Sequence, residues 1–484
     1  MKKKRVLLFV FVLCMLLPST PVFAEHTQES NYIYDYWGDT PKSLPAFEWM
    51  DTIDQGQMGQ IKMGSIDDVF VSKDQRIFLV DTLESRVNVL DESLQLLQSI
   101  KLIRDENNKI IVDAANKQLM LDKPEGVFYH EYSNELYIAD TGAERIVVLD
   151  GLTYQFKRII ERPENMVGAT LFKPSKIVVD KDGKISVIVQ GSYEGIIEIH
   201  NNGTFSRYFG LNKPRVNIID HFWKTIATSE QKEKMEKVFA PAFNNLSIDS
   251  EGMIYATTFD ASAQDKVFRF NSKGENVLME NGYFWVIGDV NYMSMDDRSQ
   301  FVDIAVSDYG VYALLDRKKG RVFLYNFQGD LLNIFGSIGY SKGDVREPTS
   351  ITWFGDKLII TDKQFAIAHV YQPTEFGEAA LYAEQQYYYG QWEEAAESYA
   401  KTIELNANYD IAYTGVGRNY LMQDEYEEAM YYSKLGNARN YFSKAFAGYR
   451  NIFIQHNFIW LVIPFLLFAG YLIYSEYRYN RKNG

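Results

Sequence analysis

Polar side chains recur at one point of a pattern that repeats along the chain, near the start of the first strand of each repeat. They are Asp67, Asp68, Glu125, Lys176, Asn244, Asn245, Asp303 and Ser350. Carboxylate and amide oxygens are the donors that hard cations prefer, and the same groups form hydrogen bonds with amines and polyols. If the fold gathers these residues, they form a polar, mostly acidic ligand site. The alternative is that they only line a water-filled channel.

A divalent cation is the one cofactor that these residues suggest, since Glu125, Asn245 and Asp303 offer the oxygen donors that calcium requires. Zinc is disfavoured because the six histidines are isolated in the sequence, with no closely spaced pair. The single cysteine, Cys14, lies in an N-terminal apolar run. No nucleophile elbow, Walker loop or dinucleotide fingerprint is present, so no catalytic residue is predicted.

The elements that must position these residues are short strands. Residues 123–150 give the template, in which runs of β-branched and aromatic residues are separated by polar turns. Further copies lie at residues 66–91, 174–200, 243–270, 301–327 and 348–371. Four-stranded units cannot each bury both faces alone, so they are expected to stack radially. The strand at 45–53 is expected to pair with the last unit and close the ring.

This pattern resembles the NHL-repeat family over about residues 43–373. The resemblance implies a mainly β fold, a six-bladed β-propeller, with function at the mouth of its central channel. Related six-bladed propellers include lactonases that use Ca²⁺. The resemblance therefore also implies an alternative function, a cation-dependent lactonase-like hydrolase in which Glu125, Asn245 and Asp303 hold the ion.

Three Asp–Arg pairs stand five positions apart across the same turn of three repeats. They are Asp81 with Arg86, Asp140 with Arg145, and Asp316 with Arg321. One interpretation is a ring of catalytic acids. The other is that each pair joins the end of one strand to the start of the next by charge-assisted hydrogen bonds. Recurrence at one position of the repeat favours the structural interpretation.

A second periodic region covers residues 377–436. Trp392 and Tyr426 are 34 positions apart, as are Ala395 and Ala429. This period resembles the tetratricopeptide repeat (TPR), and the resemblance implies two helical repeats with a groove for a peptide or protein partner. Five tyrosines are predicted to contact that partner, or else to fill the helical core. They are Tyr387, Tyr388, Tyr413, Tyr420 and Tyr431.

The two ends of the chain predict export and anchoring. Residues 1–24 have the basic start, short apolar run and small-residue site of a cleaved signal peptide. Residues 437–456 are expected to form a juxtamembrane helix and 458–474 an uncharged transmembrane helix. Basic residues follow within 475–484, which predicts a cytoplasmic tail and an extracytoplasmic position for everything before the span.

Two inserts interrupt the repeats. Residues 217–238 have a helical pattern and are expected either to cover the propeller or to pack beneath it. Residues 281–297 are rich in aromatic residues and methionine. Such a loop is a partner-binding surface when it is exposed and only fills space when it is packed between blades.

Together these features predict a single-pass cell-membrane protein that acts as an extracytoplasmic scaffold and is not an enzyme. The net charge of −14 excludes nucleic acid as a partner, because phosphate contacts need clustered Lys and Arg. The expected partners are an integral membrane protein, such as a transporter, at the helical repeats and an extracytoplasmic ligand or protein at the propeller.

Overall fold

The computed structural model describes residues 31–483 except for 60, 113–115, 167–170, 212–240, 261–262, 264, 293 and 295–296. The predicted signal peptide (1–24) and the predicted helical insert (217–238) lie outside the described residues. The remaining chain consists of strands up to residue 373 and of helices after it.

The strands form six antiparallel sheets. The first two are β2 (Ile66–Val71), β3 (Ile77–Asp81), β4 (Arg86–Leu90) and β5 (Leu96–Ile100), then β6 (Gly126–His130), β7 (Glu135–Asp140), β8 (Arg145–Asp150) and β9 (Phe156–Ile160). The third and fourth are β10 (Pro174–Val179), β11 (Ile185–Val189), β12 (Ile196–Ile199) and β13 (Phe205–Phe209), then β14 (Asn245–Ile248), β15 (Ile254–Thr257) and β16 (Val267–Phe270). The fifth is β17 (Phe301–Val306), β18 (Tyr312–Asp316), β19 (Arg321–Tyr325) and β20 (Leu331–Phe335). The sixth is β21 (Pro348–Phe354), β22 (Lys357–Asp362), β23 (Ile367–Pro373) and the N-terminal β1 (Phe47–Ile53).

The six sheets close into a ring, so the fold is a six-bladed β-propeller. The first strand of each blade contacts the first strand of the next, and β21 of the last blade contacts β2 of the first. The predicted closing strand is confirmed, because β1 pairs with β23 and joins the last blade. The strands in the middle of each blade are buried on both faces, since each blade lies between two others. The fourth blade has three strands among the described residues.

Close approach between blades explains one residue that a strand would otherwise avoid. Gly126 begins β6, and a Cβ atom there would lie 2.2 Å from the carbonyl oxygen of Ser175 in the next blade. Only glycine lets the two innermost strands approach this closely at that point. The backbone ring around the channel therefore depends on this position.

Five helices follow the propeller. They are α1 (Glu375–Tyr388), α2 (Trp392–Leu405), α3 (Asp410–Met422), α4 (Tyr426–Leu435) and α5 (Arg439–Asn483). Each packs on the next in sequence. We call α1–α4 the helical module. The predicted juxtamembrane (437–456) and transmembrane (458–474) segments are parts of the single helix α5, because nothing between them breaks the backbone hydrogen bonding.

The helical module is attached directly to the propeller. Thr374 follows the last propeller strand, and its side chain caps α1 by accepting a hydrogen bond from Gly377 N at 3.1 Å. The Thr374 hydroxyl also donates to the Pro45 carbonyl at 2.6 Å, next to β1. Gly377 lies against the backbone of Ala46, where a Cβ atom would clash. No linker separates the helices from the blade that closes the ring.

The distal part of α5 is exposed. Residues Arg439–Arg481 are long and apolar enough to cross a membrane, judged by length and composition, and the most apolar stretch has no buried residue. Large side chains such as Trp460 and Phe465 contact no other part of the described chain that would cover them, at 73% and 76% exposure. An apolar helix in this state needs another environment to cover it.

Candidate ligand site in the propeller channel

The ring places the predicted polar residues around the central channel. A cavity of about 390 Å³ opens where the innermost strands start, and another of about 470 Å³ opens where they end. We call these the strand-start mouth and the strand-end mouth. Asp67, Glu125 and Asn244 line the first, while Asp68, Asn245 and Asp303 line the second. Lys176 borders both cavities, so its side chain lies between them.

A buried ion-pair network closes the channel at the level of Lys176. The Lys176 ammonium binds the Asp68 carboxylate, and the side chain of Lys176 is only 13% exposed. Ser350 Oγ lies 2.5 Å from Asp303 Oδ2 and 3.1 Å from Asp68 Oδ1, so its single proton can serve one carboxylate at a time. We call Asp68, Lys176, Asp303 and Ser350 the channel plug.

Backbone N–H groups of the innermost strands also hold the plug carboxylates. Asp68 Oδ2 accepts from Val127 N at 2.9 Å, and Asp303 Oδ2 accepts from Ile351 N at 2.6 Å. Each bond joins one blade to the next. The plug is therefore a structural lock between blades as well as a barrier in the channel.

Burial governs the charge of the plug. Desolvation raises the pKa of Asp303 to about 7, although the neighbouring Lys176 ammonium acts in the opposite direction. Desolvation also opposes the charge on Lys176, but the carboxylates of Asp68, Asp303 and Asp67 outweigh it and raise the pKa of the amine. Lys176 therefore stays protonated and places a positive charge among these carboxylates.

The strand-start mouth is polar. Asp67 Oδ1 pairs with Lys363 Nζ at 2.5 Å, and Asp67 Oδ2 accepts from the Ser65 hydroxyl at 2.8 Å. Glu125 Oε2 accepts from Gln190 Nε2 at 2.5 Å. Burial, and then the charge of Asp67, raises the pKa of Glu125. This mouth presents carboxylate, amide and ammonium groups to a polar ligand.

The three predicted calcium ligands do not share a cavity. Glu125 lines the strand-start mouth, whereas Asn245 and Asp303 line the other side of the plug. Asn245 Oδ1 and Asp303 Oδ1 each accept from the following backbone N–H at 2.6 Å. Within the described residues, no cluster of three or more His, Cys, Asp or Glu side chains could hold a metal ion. The arrangement does not fit one ion bound by all three residues.

The strand-end mouth is partly covered by the helical module. Gln385 and Tyr389, near the C-terminal end of α1, line this cavity together with Tyr309 and Trp353 from the propeller. A ligand at this mouth would contact both parts of the protein. No sequence pattern predicts this contact, because it depends on how α1 docks on the propeller.

Two of the three predicted Asp–Arg pairs are confirmed and the third is wrong. Arg86 lies 2.9 Å from Asp81, and Arg145 lies 2.8 Å from Asp140. Arg321 stands opposite Asp316 in the sheet, yet its Nη1 contacts Asp289 at 2.7 Å. Asp316 instead accepts from backbone N–H groups, and burial raises its pKa to about 6.

Asp289 is the centre of an N-terminal latch that sequence reasoning missed. It is 2% exposed and binds the hydroxyls of Tyr32 and Tyr34 as well as Lys319 Nζ at 2.8 Å and Arg321. These tyrosines belong to an arm, residues 31–36, that precedes the predicted propeller. The alternation of aromatic and other residues in this arm was the available signal, since alternate side chains face opposite sides of an extended segment.

The arm also contacts the helices. Ile33, between the two tyrosines, is buried in the core of the helical module with Phe376 and Tyr399. Tyr32 and Tyr34 are buried in the core of the fourth and fifth blades. The arm therefore joins the propeller and the helical module by presenting alternate residues to each.

A buried polar network forms the main contact between the helical module and the fifth blade. Glu384 of α1 accepts from Asn326 Nδ2 at 3.1 Å and from the Tyr399 hydroxyl at 2.9 Å. Arg418 of α3 donates to Gln328 Oε1 at 2.9 Å and lies 3.6 Å from the ring centre of Tyr387. Burial raises the pKa of Glu384 to about 7, and the positive charge of Arg418 opposes that rise.

The five predicted partner-binding tyrosines have different surroundings. Tyr387 packs under Arg418, and Tyr388 packs on Phe327 of the propeller. The hydroxyl of Tyr413 donates to the Ala407 carbonyl at 3.0 Å, and Tyr420 stacks on Tyr432. Tyr431 is 61% exposed. Of the five, Tyr431 is therefore the most accessible to a partner.

We expect the stability of the protein to fall as the pH rises from about 5 to about 8, partly through Asp303. Its pKa of about 7 in the folded protein lies above the ordinary value near 4, so the folded state binds more protons in that interval. One such group contributes at most about 1.4 kcal/mol per pH unit. Urea unfolding of the full chain at several pH values should show a shallower dependence for Asp303→Asn. Equal slopes for the variant and the wild type would contradict this, and the exposed Asp308→Asn is the control.

Comparisons with known proteins give only distant likenesses. No protein-family model matches the chain, and no curated protein matches it. Similar solved structures include the β-propeller domain of Cps50 (Swd1) from Myceliophteria thermophila, at 10% identity over 64% of this chain and 97% of that one, with a TM-score of 0.38. Virginiamycin B lyase from Staphylococcus aureus has 10% identity over 64% and 94%, with a TM-score of 0.39. A structural genomics protein of unknown function from Bacteroides thetaiotaomicron has 10% identity over 72% and 74%, with a TM-score of 0.42. Likenesses this distant carry no functional argument.

Proposed function

We propose that this protein is a membrane-tethered extracytoplasmic scaffold of the NHL-propeller and TPR type. In this proposal α5 crosses the membrane once with its C-terminal end in the cytoplasm. The helical module, as two TPR repeats, binds an integral membrane protein such as a transporter. The propeller faces an extracytoplasmic ligand or protein.

The observation that supports this proposal best is the continuity of the fold from the channel to the apolar helix. Thr374 joins the closing blade to α1, and Glu384 and Arg418 join the helices to the fifth blade. Helix α5 packs on α4 and then extends as the exposed apolar segment. Such an arrangement holds the propeller at a fixed orientation to the anchor, which a scaffold requires.

The ligand proposed for the propeller is a polar molecule at the strand-start mouth. Asp67, Glu125 and Asn244 line it, with Lys363 paired to Asp67. Deeper in the channel, this site would be supported by Asp68, Lys176, Asn245, Asp303 and Ser350. A polyol or an amine suits these hydrogen-bonding groups.

The cation-dependent hydrolase remains the alternative, and no specific observation favours it. Its three proposed ligands lie at different levels of the channel, and the Lys176 ammonium lies among the carboxylates. Within the helical module, two exposed tyrosines are available to bind a partner protein directly. They are Tyr382 and Tyr431, at 53% and 61% exposure.

Crosslinking in the native cell, followed by mass spectrometry, tests the scaffold function. We expect membrane proteins to be captured with the full chain, and their yield to fall at least tenfold in a Tyr382→Ala/Tyr431→Ala variant, as for interface hot spots. Tyr340→Ala, which removes a 77% exposed tyrosine from the propeller, is the matched control. Equal recovery of the same proteins from all three chains would refute a partner site on the helical module.

A further inference from the structure

A third cavity lies at the junction between the propeller and the helices, and shares no lining residue with either mouth of the channel. We call it the junction cleft. Its volume is about 430 Å³, within the range of roughly 300–1,000 Å³ that small-molecule sites occupy. Three parts of the chain form it: the N-terminal arm, residues 281–290 and adjoining residues of the fifth blade, and α3 with the start of α5.

The cleft is held open by a set of contacts between these parts. The Tyr283 hydroxyl donates to the Gly436 carbonyl at 2.7 Å and lies 3.3 Å from Asp410 Oδ2. Asn437 Nδ2 donates to the same Asp410 oxygen at 3.0 Å. Tyr36 packs edge-to-face against Tyr283, and Arg439 lies 4.7 Å from the ring centre of Tyr36. The walls are therefore positioned before any ligand binds.

The described part of the insert at 281–297 is packed at some residues and exposed at others. Phe284 packs against Tyr34, and Val286 is 2% exposed. Trp285, which lines the cleft, is 70% exposed. The residues on either side anchor the loop, and the indole is left accessible at the cavity. An anchored and exposed tryptophan is a common feature of binding sites, because its large flat face loses little conformational entropy on contact.

The chemistry of the lining combines ring faces with amides. Trp285, Tyr36 and Tyr441 contribute rings, and Asn281 and Asn440 contribute side-chain amides. A pyranose ring has an apolar face of C–H groups and a rim of hydroxyls. Its C–H face contacts the negative face of an indole or phenol, while its hydroxyls bond to amides and carboxylates.

The basic groups of the cleft are not arranged as in an anion site. The basic side chains among the described lining residues are Arg418, Arg439 and Lys444, and each lies over a tyrosine ring. Asp410 and Asp330 oppose them. Phosphate and sulfate sites instead have converging basic groups in fork geometry.

We propose that the junction cleft binds a neutral oligosaccharide, with one sugar ring on Trp285 and hydroxyls bonded to the amides and Asp410. The mixed aromatic and amide lining, together with basic groups that lie over tyrosine rings and do not converge on one point, supports this ligand over a phosphorylated or sulfated one. The site is separate from the channel and does not depend on the scaffold function.

Binding of the full chain to an array of neutral and acidic oligosaccharides tests this inference. The protein is reconstituted in lipid nanodiscs, because maltoside detergents would themselves offer sugars to the cleft. Any neutral oligosaccharide retained on the array is then titrated by isothermal titration calorimetry, which does not use Trp285 as the reporter. We expect Trp285→Ala to weaken binding at least tenfold and Asp410→Asn to weaken it severalfold.

Trp392→Ala is the matched control, since Trp392 is also exposed, at 40%, but does not line the cleft. It should bind as tightly as the wild type. Three outcomes would overturn the proposal: no oligosaccharide is retained, only acidic ones are, or Trp285→Ala binds a retained neutral sugar unchanged. The circular dichroism spectrum of Trp285→Ala, expected to match the wild type, distinguishes a lost contact from a lost fold.

Discussion

Replacing Arg418 by methionine is expected to destabilise the full chain by about 2–4 kcal/mol, through the lost buried hydrogen bond and cation–π contact, and to release the helical module from the propeller. Arg418 is 5% exposed, donates to Gln328 of the fifth blade and lies between the rings of Tyr387 and Tyr441. Methionine fills similar space but leaves the carboxylate of Glu384 buried without a nearby positive charge. Urea unfolding measures the loss, and limited proteolysis near residue 374 reports the release.

Two further variants separate charge from packing at this site. Glu384→Gln removes the buried charge. In a chain that carries Glu384→Gln, Arg418→Met should therefore lower the free energy of unfolding by less than it does in the wild type, and a double-mutant cycle measures the difference. Arg439→Met is the matched control, because Arg439 also lies over a tyrosine but is exposed. Its cost should be below about 1 kcal/mol. Similar costs for Arg418→Met and Arg439→Met would show that burial of the network is not what stabilises the junction.

Replacing Asp289 by asparagine is expected to cost about 3–5 kcal/mol as well, and to free the N-terminal arm. The carboxylate is buried and pairs with both Lys319 and Arg321, while the hydroxyls of Tyr32 and Tyr34 donate to it. Asparagine keeps the shape but provides no negative charge. Thermal unfolding should show the loss of stability. Amide hydrogen exchange should increase in residues 31–36 before it increases in the propeller.

The position of Arg321 offers a second test of this latch. In the Asp289→Asn variant, Arg321 can turn to Asp316, which stands opposite it in the sheet. The double variant Asp289→Asn/Asp316→Asn should therefore lose more stability than the sum of the losses in the two single variants. Asp297→Asn is the control, since Asp297 lies 3.8 Å from Lys319 and its side chain is 38% exposed. If Asp297→Asn destabilises the protein as much as Asp289→Asn, the latch does not depend on burial.

The Arg418→Met and Asp289→Asn variants both act on the connection between the propeller and the helices and leave the strand-start mouth of the channel unchanged, since no described residue of the helices lines it. In the proposed scaffold, releasing the helical module should reduce partner capture without altering ligand binding at the strand-start mouth. The junction cleft is assembled from the arm, the fifth blade and the helices, so each variant should also weaken ligand binding in the cleft. Comparing ligand binding at the junction cleft with ligand binding at the strand-start mouth in these variants therefore shows which of the two sites depends on the junction.

The sequence by itself determined the order of elements, because strand and helix patterns are local. Alternating residues with turns at regular intervals predicted six blades and the strand that closes the ring, and β1 pairs with β23 as expected. The apolar stretch at 458–474 predicted a membrane-spanning helix, and this stretch lies within the exposed apolar part of α5. The Asp81–Arg86 and Asp140–Arg145 pairs were predictable because their partners are five residues apart across one turn.

Only the tertiary structure decided which charges meet over long sequence distances. Lys176 pairs with Asp68, which is more than a hundred residues away in the sequence. Arg321 pairs with Asp289 and not with Asp316, its neighbour in the sequence. Glu384, Arg418 and the arm tyrosines have no local pattern that names their partners. The reason is physical: periodicity reports which face of an element is buried, whereas a buried ion pair depends on which elements the packing brings together.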